Sequence, residues 1–198
     1  MTLSLRIIKQ LGHPRGLTGR IILRLLNIVN RNMNDRALAS LDLEGKNHVL
    51  EIGFGGGSLI AGILQIDRTT RVTGAEISTL AIQNAKKKFR DETRASFIHY
   101  NGKTLPFEDG AFTRAACVNV IYFWSDVPKM LAEVHRVLAS GGKIILGYSE
   151  QSPDEVSRFL HKDVEAQLLA AGFATAKSSE VHDKNNDIQF CTVAVKVT

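Results

Sequence analysis

The stretch His48-Val49-Leu50-Glu51-Ile52-Gly53-Phe54-Gly55-Gly56-Gly57-Ser58-Leu59 constrains this chain more than any other. An apolar run ends in an acid, breaks into alternating glycines and resumes as an apolar stretch able to form a helix. That is a strand, a tight loop and a helix N-terminus, an arrangement that lets backbone approach a nucleotide-like ligand closely. Gly53 and Gly55 permit backbone angles and a close approach that a side chain would block. Gly57 sits where the helix starts. Glu51 lies at the carboxyl end of a buried strand, a costly place for a charge unless something pairs with it, and a cationic ligand is one such partner. A glycine-rich turn with no ligand is the other reading of the same residues. A dinucleotide fingerprint, Gly-x-Gly-x-x-Gly, would need its third glycine at position 58, which is Ser58.

Strand and helix patterns alternate from there. Strands are expected at 47–52, 71–76, 96–100, 115–120 and 143–148. Helices are expected to about 65, over 79–90 with Ser78 as cap, over 127–138 with Ser125 or Asp126 as cap, and from Pro153 to about 171. Gly141-Gly142 and Gly172 are expected to end the last two. Two further strands, 174–181 and 188–197, are separated only by His182-Asp183-Lys184-Asn185-Asn186-Asp187. That stretch is too short for a crossover helix, so the two strands must pair antiparallel. The expected fold is α/β: a doubly wound, mostly parallel, seven-stranded Rossmann-like sheet closed by an antiparallel C-terminal hairpin, with N-terminal helices.

The 198 residues suit one globular domain with a real core. No apolar run reaches membrane-span length. Cys117 and Cys191 sit far apart in apolar, strand-like segments, as buried reduced thiols do. No Cys/His cluster has metal-ligand spacing, so no metal is expected. Charge is uneven. Residues 1–36 hold seven basic residues and one acid, net +6, leaving 18 basic and 19 acidic residues, net −1, in the remainder. Within 17–31, which reads as a helix, Arg20, Arg24, Asn27 and Arg31 form one polar stripe on an otherwise apolar surface. A second helix is expected over 33–42. A basic arm over 1–43 thus precedes the main domain at 44–198. The arm can serve as a lid, rest on anionic lipid, meet RNA phosphates, or act as a targeting segment.

The strand ends carry the chemistry. Glu76 ends the second strand, 23 residues after Gly53. A carboxylate there can accept from both hydroxyls of a ribose, without saying which cofactor carries it; an exposed strand-end acid is the plainer reading. Beyond the fourth strand come Asn119-Val120-Ile121-Tyr122-Phe123-Trp124. Three consecutive aromatics can shield a cationic centre and exclude water, or simply pack the loop.

The pattern Glu-x-Gly-x-Gly-x-Gly at Glu51, Gly53, Gly55 and Gly57 resembles the first motif of class I S-adenosylmethionine-dependent methyltransferases. Tyr100-Asn101-Gly102-Lys103-Thr104-Leu105-Pro106-Phe107 resembles that family's Gly-Asp-Ala-x-x-Leu-Pro-Phe, with Asn101 in place of the acid, and Thr113 stands where the family usually has Asp. The resemblance covers roughly residues 45–150 and is closest to the small-molecule group that includes ubiquinone/menaquinone-type enzymes. It implies S-adenosyl-L-methionine as cofactor, held by Glu51, Gly53, Phe54, Gly55, Gly57, Glu76, Ile77, Asn101, Gly102 and Asn119. The cofactor's sulfonium and ammonium suit the buried Glu51. The closing antiparallel hairpin is a hallmark of the same fold.

The implied reaction is in-line methyl transfer to a small-molecule acceptor through O, N, S or C. No catalytic residue has a motif behind it. Tyr122 and Asn119 are the candidates, and Tyr148, Glu150 and His13 could line the site. The chain lacks the Asn/Asp-Pro-Pro-aromatic signature of enzymes that methylate nucleic-acid amines, which argues against a nucleic-acid partner. A non-catalytic binding or assembly protein on the same scaffold and an NAD(P)-dependent oxidoreductase are the alternatives. The location implied is cytoplasmic, with the basic helix able to reach an anionic membrane surface; oligomeric state is not indicated.

Overall fold

The computed structural model describes residues 30–149, 161–182 and 188–197. In chain order they form α1 (Arg31–Ser40), β1 (His48–Ile52), α2 (Ser58–Ile66), β2 (Arg71–Glu76), α3 (Thr79–Lys88), β3 (Ala95–His99) and β4 (Phe112–Val118). A one-turn 3-10 helix (Ile121–Phe123), α4 (Val127–Val137), β5 (Leu138–Ser149), α5 (His161–Ala170), β6 (Phe173–His182) and β7 (Ile188–Lys196) follow. The seven strands make one sheet in the order β3-β2-β1-β4-β5-β7-β6. Strands β1 to β5 are parallel, and β7 runs antiparallel to both β5 and β6. The expected closing hairpin is therefore present. The helix over 17–31 and the first residues of the one from Pro153 lie outside the described residues.

Side-chain alternation builds two cores. Leu50, Ala115, Cys117, Ile144, Leu146 and Tyr148 face one side and pack with Leu131 and Val134 of α4 and Leu168 of α5. Val49, Ala116, Val118 and Ile145 face the other, against Met33 of α1, Ile60 and Ile63 of α2, and Ile82 of α3. A strand buried on both faces needs such near-continuous apolar sequence. The helix starts follow local chemistry. The Ser78 side chain accepts from the Ala81 N–H at 3.3 Å, and Asp126 from the Lys129 N–H at 3.0 Å.

Gly141-Gly142 does not end α4. The helix stops at Val137, because Leu138 is already extended (ψ 138°). Lys196 caps that end by donating to the Leu138 carbonyl at 2.7 Å and the His135 carbonyl at 2.9 Å. The glycines sit inside β5, where the pairing with β4 steps irregularly from Phe112↔Leu138 to Arg114↔Lys143. Gly141 (φ +73°) supplies the turn of that bulge. Strand β4 also ends earlier than expected, at Val118.

The order of the sheet fixes where a ligand can sit. β1 has β2 on one side and β4 on the other, so the chain reverses its direction of winding there. In open parallel sheets the crevice lies beyond the carboxyl ends of the strands at such a switch point.

Candidate functional site

Glu51 ends β1 almost wholly inside the protein. It is 5% exposed, and its Oε2 atom is buried with no hydrogen-bond partner among the described residues. Its carboxyl group meets the Ile60 amide in the first turn of α2, yet burial and then the neighbouring Glu76 charge push it up from 4.5 to about 8. A carboxyl raised in the fold contributes stability that is complete below its unfolded value and is lost as pH rises through the folded one. Unfolding by denaturant from about pH 5 to about pH 9 is therefore expected to show stability falling with pH, and Glu51→Gln is expected to flatten the fall. Parallel curves for the two proteins would remove Glu51 as its source.

The glycine loop is held from several sides. The Gly53 N–H donates to the Ala75 carbonyl at 2.8 Å, and the Gly57 N–H to the Phe54 carbonyl at 2.8 Å. Gly53, Gly55 and Gly57 all have positive φ, at +70°, +50° and +66°. A Cβ on Gly53 would lie 2.4 Å from Val120 Cγ2, and one on Gly57 would lie 3.0 Å from Phe89 Cε2. Phe54 is buried in the core. It packs edge-on against Phe97 at 5.4 Å and would meet any side chain on Gly74. On the loop's outer side Lys88 donates to the carbonyls of Gly56 at 3.2 Å and Gly57 at 3.1 Å.

Glu76 is more committed than its sequence position suggests. Its Oε2 accepts from the Gly55 N–H at 3.1 Å, and its Oε1 from Ile77 and Ser78 at 2.8 and 3.0 Å. The carboxylate thus ties the glycine loop to the start of α3. One lone pair on Oε2 is left for a ligand hydroxyl. Ile77 faces Gly102, whose absent Cβ would lie 3.6 Å from Ile77 Cγ2. The side-chain oxygen of Asn101, expected among the cofactor-holding residues, accepts from the Lys103 and Thr104 amides at 2.8 and 2.9 Å and so closes its own turn.

Asn119 directly follows β4 in the left-handed region (φ +54°), which few residues other than glycine and asparagine adopt. Its Nδ2 donates to Asn30 Oδ1 at 2.8 Å, while its Oδ1 is buried with no partner among the described residues. Tyr122 is occupied elsewhere. Its hydroxyl donates to the Ser149 carbonyl at 2.8 Å, the Ser149 N–H donates back to the same oxygen, and burial pushes the phenol up, away from service as a base. Tyr148 is wholly buried and does not line the site; it stacks on Phe190 at 5.5 Å, and its hydroxyl lies 3.1 Å from Thr192 Oγ1. Trp124 packs in the core beside Tyr100 and Leu105, leaving Phe123, 41% exposed, as the outward member of the aromatic triplet. Glu150 and His13 lie outside the described residues.

Glu133 and Arg136 of α4 were not singled out by sequence. Arg136 donates to the carbonyls of Leu105 (3.0 Å) and Phe107 (2.8 Å), and Glu133 accepts from the Leu105 N–H at 2.9 Å. Together they fix the loop that follows Asn101. Their i,i+3 spacing looks the same as an ordinary surface ion pair.

The site thus tests well for the implied cofactor. Two buried acceptors that lack donors among the described residues, Glu51 Oε2 and Asn119 Oδ1, stand at the ends of neighbouring strands beside a loop of positive-φ glycines. A ligand bearing an ammonium and a ribose supplies the donors that such acceptors lack.

Residues 50–146 match the family described as "Methyltransferase domain". The chain is 22% identical to the uncharacterized methyltransferase YdaC of Bacillus subtilis over 172 residues, covering 84% of this chain and 93% of that protein. It is 29% identical to the ubiquinone/menaquinone biosynthesis C-methyltransferase UbiE of Geobacter sp. over 128 residues, 62% of this chain and 54% of that protein. It thus spans nearly all of the first relative and about half of the second. Its fold matches the crystal structure of a SAM-dependent methyltransferase from Aquifex aeolicus with a TM-score of 0.72 at 16% identity, over 88% of this chain and 97% of that one. Sheet order, glycine loop and these likenesses together place the chain among the class I S-adenosylmethionine-dependent methyltransferases.

Proposed function

We propose that the protein transfers a methyl group to a small, largely apolar acceptor by in-line displacement. When bound, S-adenosylmethionine supplies the activated methyl and its leaving group. The observation that carries this reading is the pair of donorless buried acceptors, Glu51 Oε2 and Asn119 Oδ1, flanking the glycine loop. Glu51 and Asn119 would take the cationic amino-acid end, and Glu76 a ribose hydroxyl. Ile77, Gly102 and the turn closed by Asn101 would flank the base. The chain's own contribution is then to hold donor and acceptor in line and to keep water out.

Tyr122 is a structural tie in this reading rather than a base, since its hydroxyl already serves the Ser149 backbone. The exposed Phe123 and its edge-on neighbour Tyr122, 6.4 Å away, form an apolar lip at the end of β4. That lip, with the likeness to a quinone-biosynthesis C-methyltransferase, favours quinone-like or lipid-like acceptors. Among the described residues no helix is long and apolar enough to cross a membrane. The free, buried Cys117 and Cys191 fit a reducing cytoplasmic setting. The basic N-terminal segment would bring the enzyme to an anionic surface where such acceptors reside.

Calorimetric titration of the full chain with S-adenosylhomocysteine and, separately, NADH tests the reading. Binding of the first alone, at about micromolar affinity, is the expected result and opens an acceptor screen among quinone-like and lipid-like compounds. Absence of that binding would overturn the enzyme reading and leave a binding or assembly role.

A further inference from the structure

Asn30 occupies the N-cap position of α1 and is a residue type that caps well, yet its side chain makes no capping hydrogen bond. Its Oδ1 is used 89 residues away, accepting from Asn119 Nδ2 at 2.8 Å. Asn119 in turn holds the left-handed backbone just described, pinned by its own N–H to the Gly147 carbonyl at 2.8 Å. One partner therefore forgoes a cap and the other holds an uncommon left-handed backbone. Such arrangements persist only where the surroundings require them, and they cluster at ligand sites.

We infer that Asn30 is a positioning residue for the cofactor site: its side chain locks the Asn119 amide in one orientation. A side-chain amide has a donor end and an acceptor end. With Nδ2 committed to Asn30, the group cannot turn over, and Oδ1 is kept as the buried, donorless acceptor beside the glycine loop. Without Asn30, the amide is free to present Nδ2, a donor, to a cationic ligand group. The polar tie also joins the start of α1 to the switch point. α1 is seated there by Met33, whose Cγ would lie 2.6 Å from a Cβ on Gly147. The inference rests on the proposed cofactor reading for its ligand, but not for the hydrogen bond itself.

Two substitutions separate the roles. Asn30→Ser puts another residue type that caps well at the start of α1 and is too short to reach Asn119, so it removes the tie without weakening the helix. Asn30→Asp keeps an acceptor for Asn119 Nδ2. The expected result is S-adenosylhomocysteine binding about tenfold weaker in Asn30→Ser, with a melting temperature no lower than wild type, and binding within about twofold of wild type in Asn30→Asp. Asn30→Ser binding like wild type would overturn the inference, as would equal weakening in both variants accompanied by lower melting temperatures. Solvent exchange of the Asn119 side-chain amide protons, followed by NMR, is a readout that needs no ligand. Protection in wild type that is lost in Asn30→Ser supports the tie, and equal exchange in the two overturns it. Wild-type protein that shows this protection but fails to bind S-adenosylhomocysteine would sink the cofactor reading and leave the tie standing.

Discussion

Replacing Glu76 by alanine is expected to weaken S-adenosylhomocysteine binding at least about hundredfold, because hydrogen bonds to a charged group are worth about 1.5–3 kcal/mol each and several are lost together. Three backbone N–H groups, those of Gly55, Ile77 and Ser78, converge on this one carboxylate. Glu76 is 6% exposed, so water cannot simply take its place. The substitution releases the glycine loop from the start of α3 and removes the acceptor proposed for a ribose hydroxyl in the same step. Glu76→Gln keeps one carbonyl oxygen and loses the charge, and it is expected to fall between the two. The check is calorimetry beside denaturant unfolding. Unchanged affinity in Glu76→Ala would take the residue out of the cofactor site and leave it only a loop anchor.

The second large effect is expected at Gly53. Its φ of +70° belongs to the left-handed region, and a Cβ there would fall 2.4 and 2.8 Å from the two methyls of Val120. Val120 is β-branched, so it cannot swing aside as a long side chain would. Gly53→Ala is expected to destabilise the protein by about 3 kcal/mol, roughly 1 from the backbone and about 2 from overpacking. Since the clash wedges apart the ends of β1 and β4, it also opens the switch point and should abolish S-adenosylhomocysteine binding. Adding Val120→Ala relieves the overpacking and not the backbone strain. The double variant should therefore recover about two-thirds of the stability lost, a coupling that a double-mutant cycle in urea measures. Additive losses would show that the two residues do not meet.

The elements that were legible in sequence owe their form to local rules. β2 is found at Arg71–Glu76, the bounds expected of it. Ser78 and Asp126 cap their helices because a short side-chain oxygen satisfies the free amides of a first turn. The closing hairpin followed from a connection too short to cross over, and β6 and β7 are antiparallel. Gly141-Gly142 was misread because the same residue type ends helices and permits strand bulges, and local sequence does not say which. Sequence allowed Tyr148 to line the site because it lies near the carboxyl end of β5, on the ligand side of the sheet. Which face its side chain takes depends on the pairing with β7, and that pairing buries it against Phe190 and Thr192. Likewise the aromatic triplet was visible, but its division into an outward Phe123, the last residue of the one-turn helix, and a buried Trp124 just after it is set by that helix.

The sequence by itself determined the α/β architecture, the glycine loop, the acid at the end of β1 and the antiparallel closure. Each depends on backbone preference, periodicity or connection length within a few residues. Only the tertiary structure decided where the site's polar side chains spend their hydrogen bonds. It turned the Asn101 oxygen onto its own loop, bound Tyr122 to Ser149, tied Glu76 to Gly55 across 21 residues and Asn119 to Asn30 across 89. The physical reason is that a buried polar atom must find a partner wherever the fold brings one near, and sequence distance places no limit on that search. Among the described residues, six buried side-chain polar atoms find none, and two of these, Glu51 Oε2 and Asn119 Oδ1, stand together beside the glycine loop.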